Sequence, residues 1–126
     1  MELKGRVEQY GSLFGDWHIQ KPIGEGSNGN TQVYQMIKRY DEYTEVSALK
    51  VIGITEEKGK LEELDASQRR EYEEYKKRRR TDATNEIKAM NRLNGHTNIV
   101  TYRDSCFRDW QTERVYGCDL LIHMEL

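Results

Sequence analysis

Residues 24–29 read Gly24-Glu25-Gly26-Ser27-Asn28-Gly29, and Ala48-Leu49-Lys50 follows about twenty positions later on a second strand-like run. Glycines carry no Cβ, so backbone amides can come close to phosphate oxygens. A lysine on the next strand adds a compact positive charge that reaches the same oxygens. Ala48, Leu49, Val51 and Ile52 make the surroundings of Lys50 apolar, and a charge there needs a partner or a ligand. Glu86, on a helix-patterned stretch, is the carboxylate whose phase offers that partner. The competing readings are plain: Lys50 as an ordinary strand lysine, and Glu86 as one more solvated helix glutamate.

Other clusters point less sharply. A dinucleotide-binding unit needs a continuously apolar strand before the glycines and a helix after them. Here the preceding run is polar and holds Pro22. Lys76-Lys77-Arg78-Arg79-Arg80 reads either as a nucleic-acid or localisation patch or as a solvated helix face paired with Glu71, Glu73 and Glu74; the paired face is favoured. A cationic cluster at a helix start would oppose the macrodipole, so the helix must begin well before Lys76. Cys106 and Cys118 have no framework or metal spacing and read as free thiols, even if paired strands make them neighbours. His18, His96 and His123 lie far apart, and no metal site is expected.

Composition narrows the class. The chain has 126 residues, 33% charged and 36% hydrophobic, with net charge −2. That near-neutral balance gives no field for nucleic acid, and the apolar fraction is low for a self-sufficient globule. Met1 to Arg6 lacks a signal-peptide stretch, and no run approaches a membrane span, so a cytoplasmic location is expected.

The elements must position these residues. Residues 1–16 read as a polar leader. Residues 17–23 and 46–52 alternate as strands; residues 32–39 fit a helix or a strand, and context favours the strand. Residues 40–43 form a turn and 53–59 a loop. Helical spacing runs from about Lys60 to Asn94, with a break expected at Thr81–Thr84, Glu73→Lys77 and Glu74→Arg78 pairs, and a C-cap at Gly95. Two further strands, 99–107 and 116–126, flank a turn at 108–114. The fold class is α+β: five antiparallel strands with one long helix on a face.

In this order, the pieces resemble the N-terminal lobe of a eukaryotic-type protein kinase across residues 17–126. The carriers are Gly24-x-Gly26-x-x-Gly29, Ala48-Leu49-Lys50, Glu86-Ile87-Lys88-Ala89-Met90-x-x-Leu93, His96-Thr97-Asn98-Ile99-Val100, and Leu120-Leu121-Ile122-His123-Met124-Glu125-Leu126. The resemblance implies a serine/threonine kinase using ATP and Mg2+. It places the amides of Ser27, Asn28 and Gly29, with Glu25 in the same loop, over the phosphates. Lys50 contacts the α- and β-phosphates, and Glu86, on the inner helix face, pairs with it. Ile23, Val33 and Ala48 line the adenine pocket, Met124 stands at its back, and the backbone from Glu125 and Leu126 meets the adenine edge. Thr31 competes with Val33 for the roof. The surplus between Lys50 and Glu86 reads as a helical extension over about 56–80. No His-Arg-Asp loop or Asp-Phe-Gly metal site is present. The expectation is therefore a lobe truncated at the hinge, inactive alone, with Mg2+ and protein substrate held by the missing lobe. The exposed cleft is expected to favour self-association of the isolated lobe, and the alternative to a kinase is a pseudokinase or stand-alone regulatory module.

Overall fold

Five strands and a long helix make up the structure, a computed structural model that describes residues 5, 7–25, 31–92 and 101–125, with backbone alone at 25 and 90–92. They are β1 (His18–Glu25), β2 (Thr31–Arg39), β3 (Thr44–Lys58), a 3-10 turn at Leu61–Glu63, α1 (Ala66–Arg92), β4 (Tyr102–Gln111) and β5 (Val115–Glu125). The strands form one antiparallel sheet in the order β1-β2-β3-β5-β4. The α+β expectation holds, and the ambiguous run at 32–39 is a strand.

Both faces of this sheet are apolar, because β3 and β5 alternate between two buried sets. One face sets Ala48, Ile54, Cys118, Leu120, Ile122 and Met124 against Ala83 and Ile87 of α1. The outer face carries Tyr34, Met36, Leu49, Val51 and Leu121, covered by Val7, Leu13 and Trp17. The supposed polar leader therefore contributes core. A sheet buried on both sides needs a second cover, and the N-terminal segment supplies it.

Three boundaries differ from expectation. Residues 53–59 are not a loop: β3 continues to Lys58 through a bulge between Gly53 and Thr55, pairing Glu57 with Tyr116. The extension expected over 56–80 thus begins as strand and turns helical only at Ala66. Asp65 starts α1 with a reciprocal cap, Gln68 N donating to Asp65 Oδ1 at 2.8 Å and Asp65 N to Gln68 Oε1 at 3.0 Å, the capping-box arrangement. α1 then runs unbroken for 27 residues, about 40 Å at the α-helical rise. No break occurs at Thr81, whose hydroxyl donates to the Lys77 carbonyl one turn back (3.0 Å) instead of capping. The turn expected at 108–114 shrinks to 112–114, closed by Thr112 N to Val115 O at 2.8 Å. The Gly95 cap and the His96–Val100 link lie outside the described residues.

Candidate functional site

Register brings four of the predicted residues onto one face of the sheet. Lys50 stands across from Val33 in β2 and Ile122 in β5, and Ala48 across from Gln35 and Met124. Val33, Ala48, Lys50 and Met124 therefore share the face on which α1 packs. Ala48 and Met124 are buried, and Lys50 is half-buried among them. Thr31, across from Ile52, lies on the same face as Val33. Val33 is also the residue across from Gly24, where a Cβ on the glycine would sit 3.8 Å from the Val33 Cβ. Gln32 fastens that end of β1 by donating its side-chain amide to the Gly24 carbonyl.

The remaining predicted residues are less gathered. Ile23 is 45% exposed, beside the irregularity between Pro22 and Gly24. The backbone of Glu25 pairs with Gln32. Glu125 is exposed, donates its amide to the Thr101 carbonyl (2.8 Å) and pairs with Arg103 at 3.9 Å. Gly26, Ser27, Asn28, Gly29 and Leu126 lie outside the described residues. A strand, β2, follows the glycine segment, which removes the dinucleotide-binding reading.

Glu86 departs from expectation. α1 turns Ala83 and Ile87 onto the sheet and leaves Glu86 exposed. Adjacent helical residues point about 100° apart at 3.6 residues per turn, so a helix seated on Ile87 directs Glu86 away. Among the described residues no ion pair joins Glu86 to Lys50.

Cations seat the helix instead. Lys76 lies 3.6 Å from Asp109 of β4 and 3.4 Å from Glu73. Arg80 lies 3.9 Å from the same Asp109, 3.7 Å from Cys118 Sγ and over the Phe107 ring. Arg79 Nε donates to the Ile54 carbonyl at 3.1 Å. Lys77 and Arg78 alone of the basic run are exposed. The run sits mid-helix as the macrodipole requires, but it is not a wholly solvated face: Lys76, Arg79 and Arg80 dock α1. The Glu73→Lys77 pair is replaced by Glu73–Lys76, since Lys76 is drawn inward. Tyr72 completes the seat, its hydroxyl 3.1 Å from Thr55 Oγ1 and its ring edge-on to Tyr116. Burial pushes the Tyr72 hydroxyl up to about 12.

Tyr72, Ala83 and Ile87 lie within the run of helical spacing expected from about Lys60 to Asn94, but Asp109 carried no signal in its expected turn. The cysteines face opposite sides: Cys118 is wholly buried in the helix-side core and Cys106 packs on the outer core, both as free thiols. Burial pushes the Cys118 thiol up to about 11 and raises that of Cys106. Among the described residues no cluster of His, Cys, Asp or Glu is placed to hold a metal ion, and no helix is long and apolar enough to cross a membrane.

This geometry is one cation on an apolar floor, beside a glycine-bearing strand end. It suits an anionic ligand with a flat apolar part. The chain matches no protein-family model and no curated protein.

Proposed function

We propose that this chain is the ATP-binding N-terminal lobe of a cytoplasmic protein kinase acting on serine or threonine. The observation that carries it is the register lining Val33, Ala48, Lys50 and Met124 along one face of the β1-β2-β3-β5-β4 sheet, with α1 on that face. In this reading, Val33, Ala48 and Met124 hold adenine and Lys50 neutralises phosphate charge. The described residues do not fit Mg2+, so no step is assigned to the metal. A second reading, a pseudokinase or interaction module, is favoured by the exposure of Glu86, which leaves Lys50 without its helix carboxylate.

Titrating the protein with a fluorescent ATP analogue tests both. The expected result is weak, saturable binding that Lys50→Met weakens about tenfold or more, equivalent to about 1.4 kcal/mol, with the thermal midpoint unchanged. Equal binding by both proteins would overturn the site. No binding by either would leave the module reading in its place.

A further inference from the structure

Residues 7–17 cross the outer face as a strap attached at two points. At the first, the Tyr10 hydroxyl donates a 2.7 Å hydrogen bond to Asp119 Oδ2 of β5, and the Arg108 guanidinium lies 5.7 Å over the Tyr10 ring. At the second, the His123 ring of β5 meets Phe14 at 5.1 Å and Trp17, edge-on, at 4.8 Å. His123 Nε2 lies 2.8 Å from Ser47 Oγ of β3. The strap's described backbone hydrogen bonds close within it: Tyr10 to Val7, and Leu13 with Trp17 in both directions. Its hold on the sheet therefore rests on side chains.

Its shape depends on that hold. Gly11, Phe14 and Gly15 have φ of 71°, 50° and 94°. A phenylalanine with positive φ is costly and persists only where the surroundings enforce it. Detached, the segment has a reason to relax rather than to keep its form.

We propose that residues 7–17 are a releasable strap, latched to the sheet by the neutral imidazole of His123 and let go when that ring takes up a proton. His123 is 3% exposed, and the charged form would be cut off from water. The groups around it come from every packed element. Arg103 of β4 lies 5.4 Å over the Trp17 ring and pairs with Glu45 of β3 at 3.5 Å and Glu125 of β5 at 3.9 Å. Asp104 of β4 is the register partner of His123. The strap contributes the Phe14 and Trp17 rings, and its Asp16 is exposed. Burial first, then Arg103, holds the imidazole down at about 4, against the opposing pull of Asp104 and Glu45.

The sign follows from proton binding. Released into water, His123 titrates near its ordinary value of about 6.5. Between there and about 4, the released state binds more protons, so release is favoured as pH falls, up to tenfold per unit and about 300-fold in all. Release uncovers Tyr34, Met36, Leu49, Val51 and Leu121 of the outer core.

Trp110→Phe leaves Trp17 as the sole tryptophan of two. Its emission is expected to shift red between pH 6 and 4 before far-UV circular dichroism reports loss of the sheet. Adding His123→Gln, which keeps a polar group near Ser47 but takes no proton, should flatten the response. Tyr10→Phe, which detaches the Asp119 anchor, should keep it. Where a variant fails to fold, peptide-resolved hydrogen exchange on the unmodified protein reads the same event as early loss of protection in 7–17 relative to β2 and β3. Loss of strap and strands together at every pH, or a shift that survives His123→Gln, would overturn the proposal. So would a shift that Tyr10→Phe abolishes.

Discussion

A Cβ on Gly117 would stand 2.2 Å from the Thr55 carbonyl oxygen and 2.6 Å from the Trp110 ring. Neither neighbour can yield cheaply, since one is backbone and the other a buried ring. Gly117→Ala is therefore expected to cost about 1–3 kcal/mol, as overpacking does, measured by urea denaturation at neutral pH. Among the described residues Gly24→Ala meets only the 3.8 Å contact with Val33 and should leave stability unchanged. The thiols make a second contrast. Cys106 is half-buried and should react first with a thiol reagent at pH 8. Cys118 is wholly buried, with its thiol pushed up to about 11, and should wait for unfolding. Mass spectrometry of the singly labelled protein, with Cys118→Ser as control, assigns the order; equal rates would contradict the burial. At this scale the apolar setting of Lys50 was legible from its sequence neighbours. The exposure of Glu86 was not, because helical spacing alone does not say which stripe is seated when few inward residues are apolar.

α1 is held by a small apolar contact and a set of ion pairs, and magnitudes decide between them. Asp109 is 65% exposed at its side chain, where water screens the pairs, so Asp109→Asn should cost no more than about 1 kcal/mol. Ile87 is 8% exposed, and Ile87→Ala should cost about 2 kcal/mol or more. Asp65→Ala removes the cap and should cost about 1 kcal/mol. Thermal midpoints of the three variants rank them, and Asp109→Asn costing most would reverse the account. Strand alternation, with context at 32–39, announced five strands in their chain order. The extra length of β3 was hidden because Gly53 and the run Glu56-Glu57-Lys58 look like a loop. They extend β3 into an arm paired with β5, in which Glu57 stands across from Tyr116. The helix start was readable in Asp65-x-x-Gln68 but was lost among charged neighbours. The strap was hidden because Gly11 and Gly15 interrupt the run that holds Val7, Leu13 and Trp17.

β1 and β4 are the edge strands of the sheet among the described residues. β1 carries Pro22 and irregular register at two places, and β4 carries Arg103, Asp104, Arg108 and Asp109 with a shift near Tyr102. Such features discourage strand pairing between molecules. Val46, 44% exposed on the Ala48 and Lys50 side of β3, is the more open route. Sedimentation velocity at rising concentration should show reversible association that Val46→Glu suppresses; association untouched by that change would place the contact elsewhere. β5 is the innermost strand by burial, yet it follows the other four in the chain. As the polypeptide leaves the ribosome, β3 waits with one edge unpaired, and the strap waits for Asp119 and His123. The contact from Tyr10 to Asp119 spans 109 positions, among the slowest kinds of closure to form. The nascent chain thus exposes both greasy faces until β5 has been translated, and that interval is when a chaperone would have most to hold.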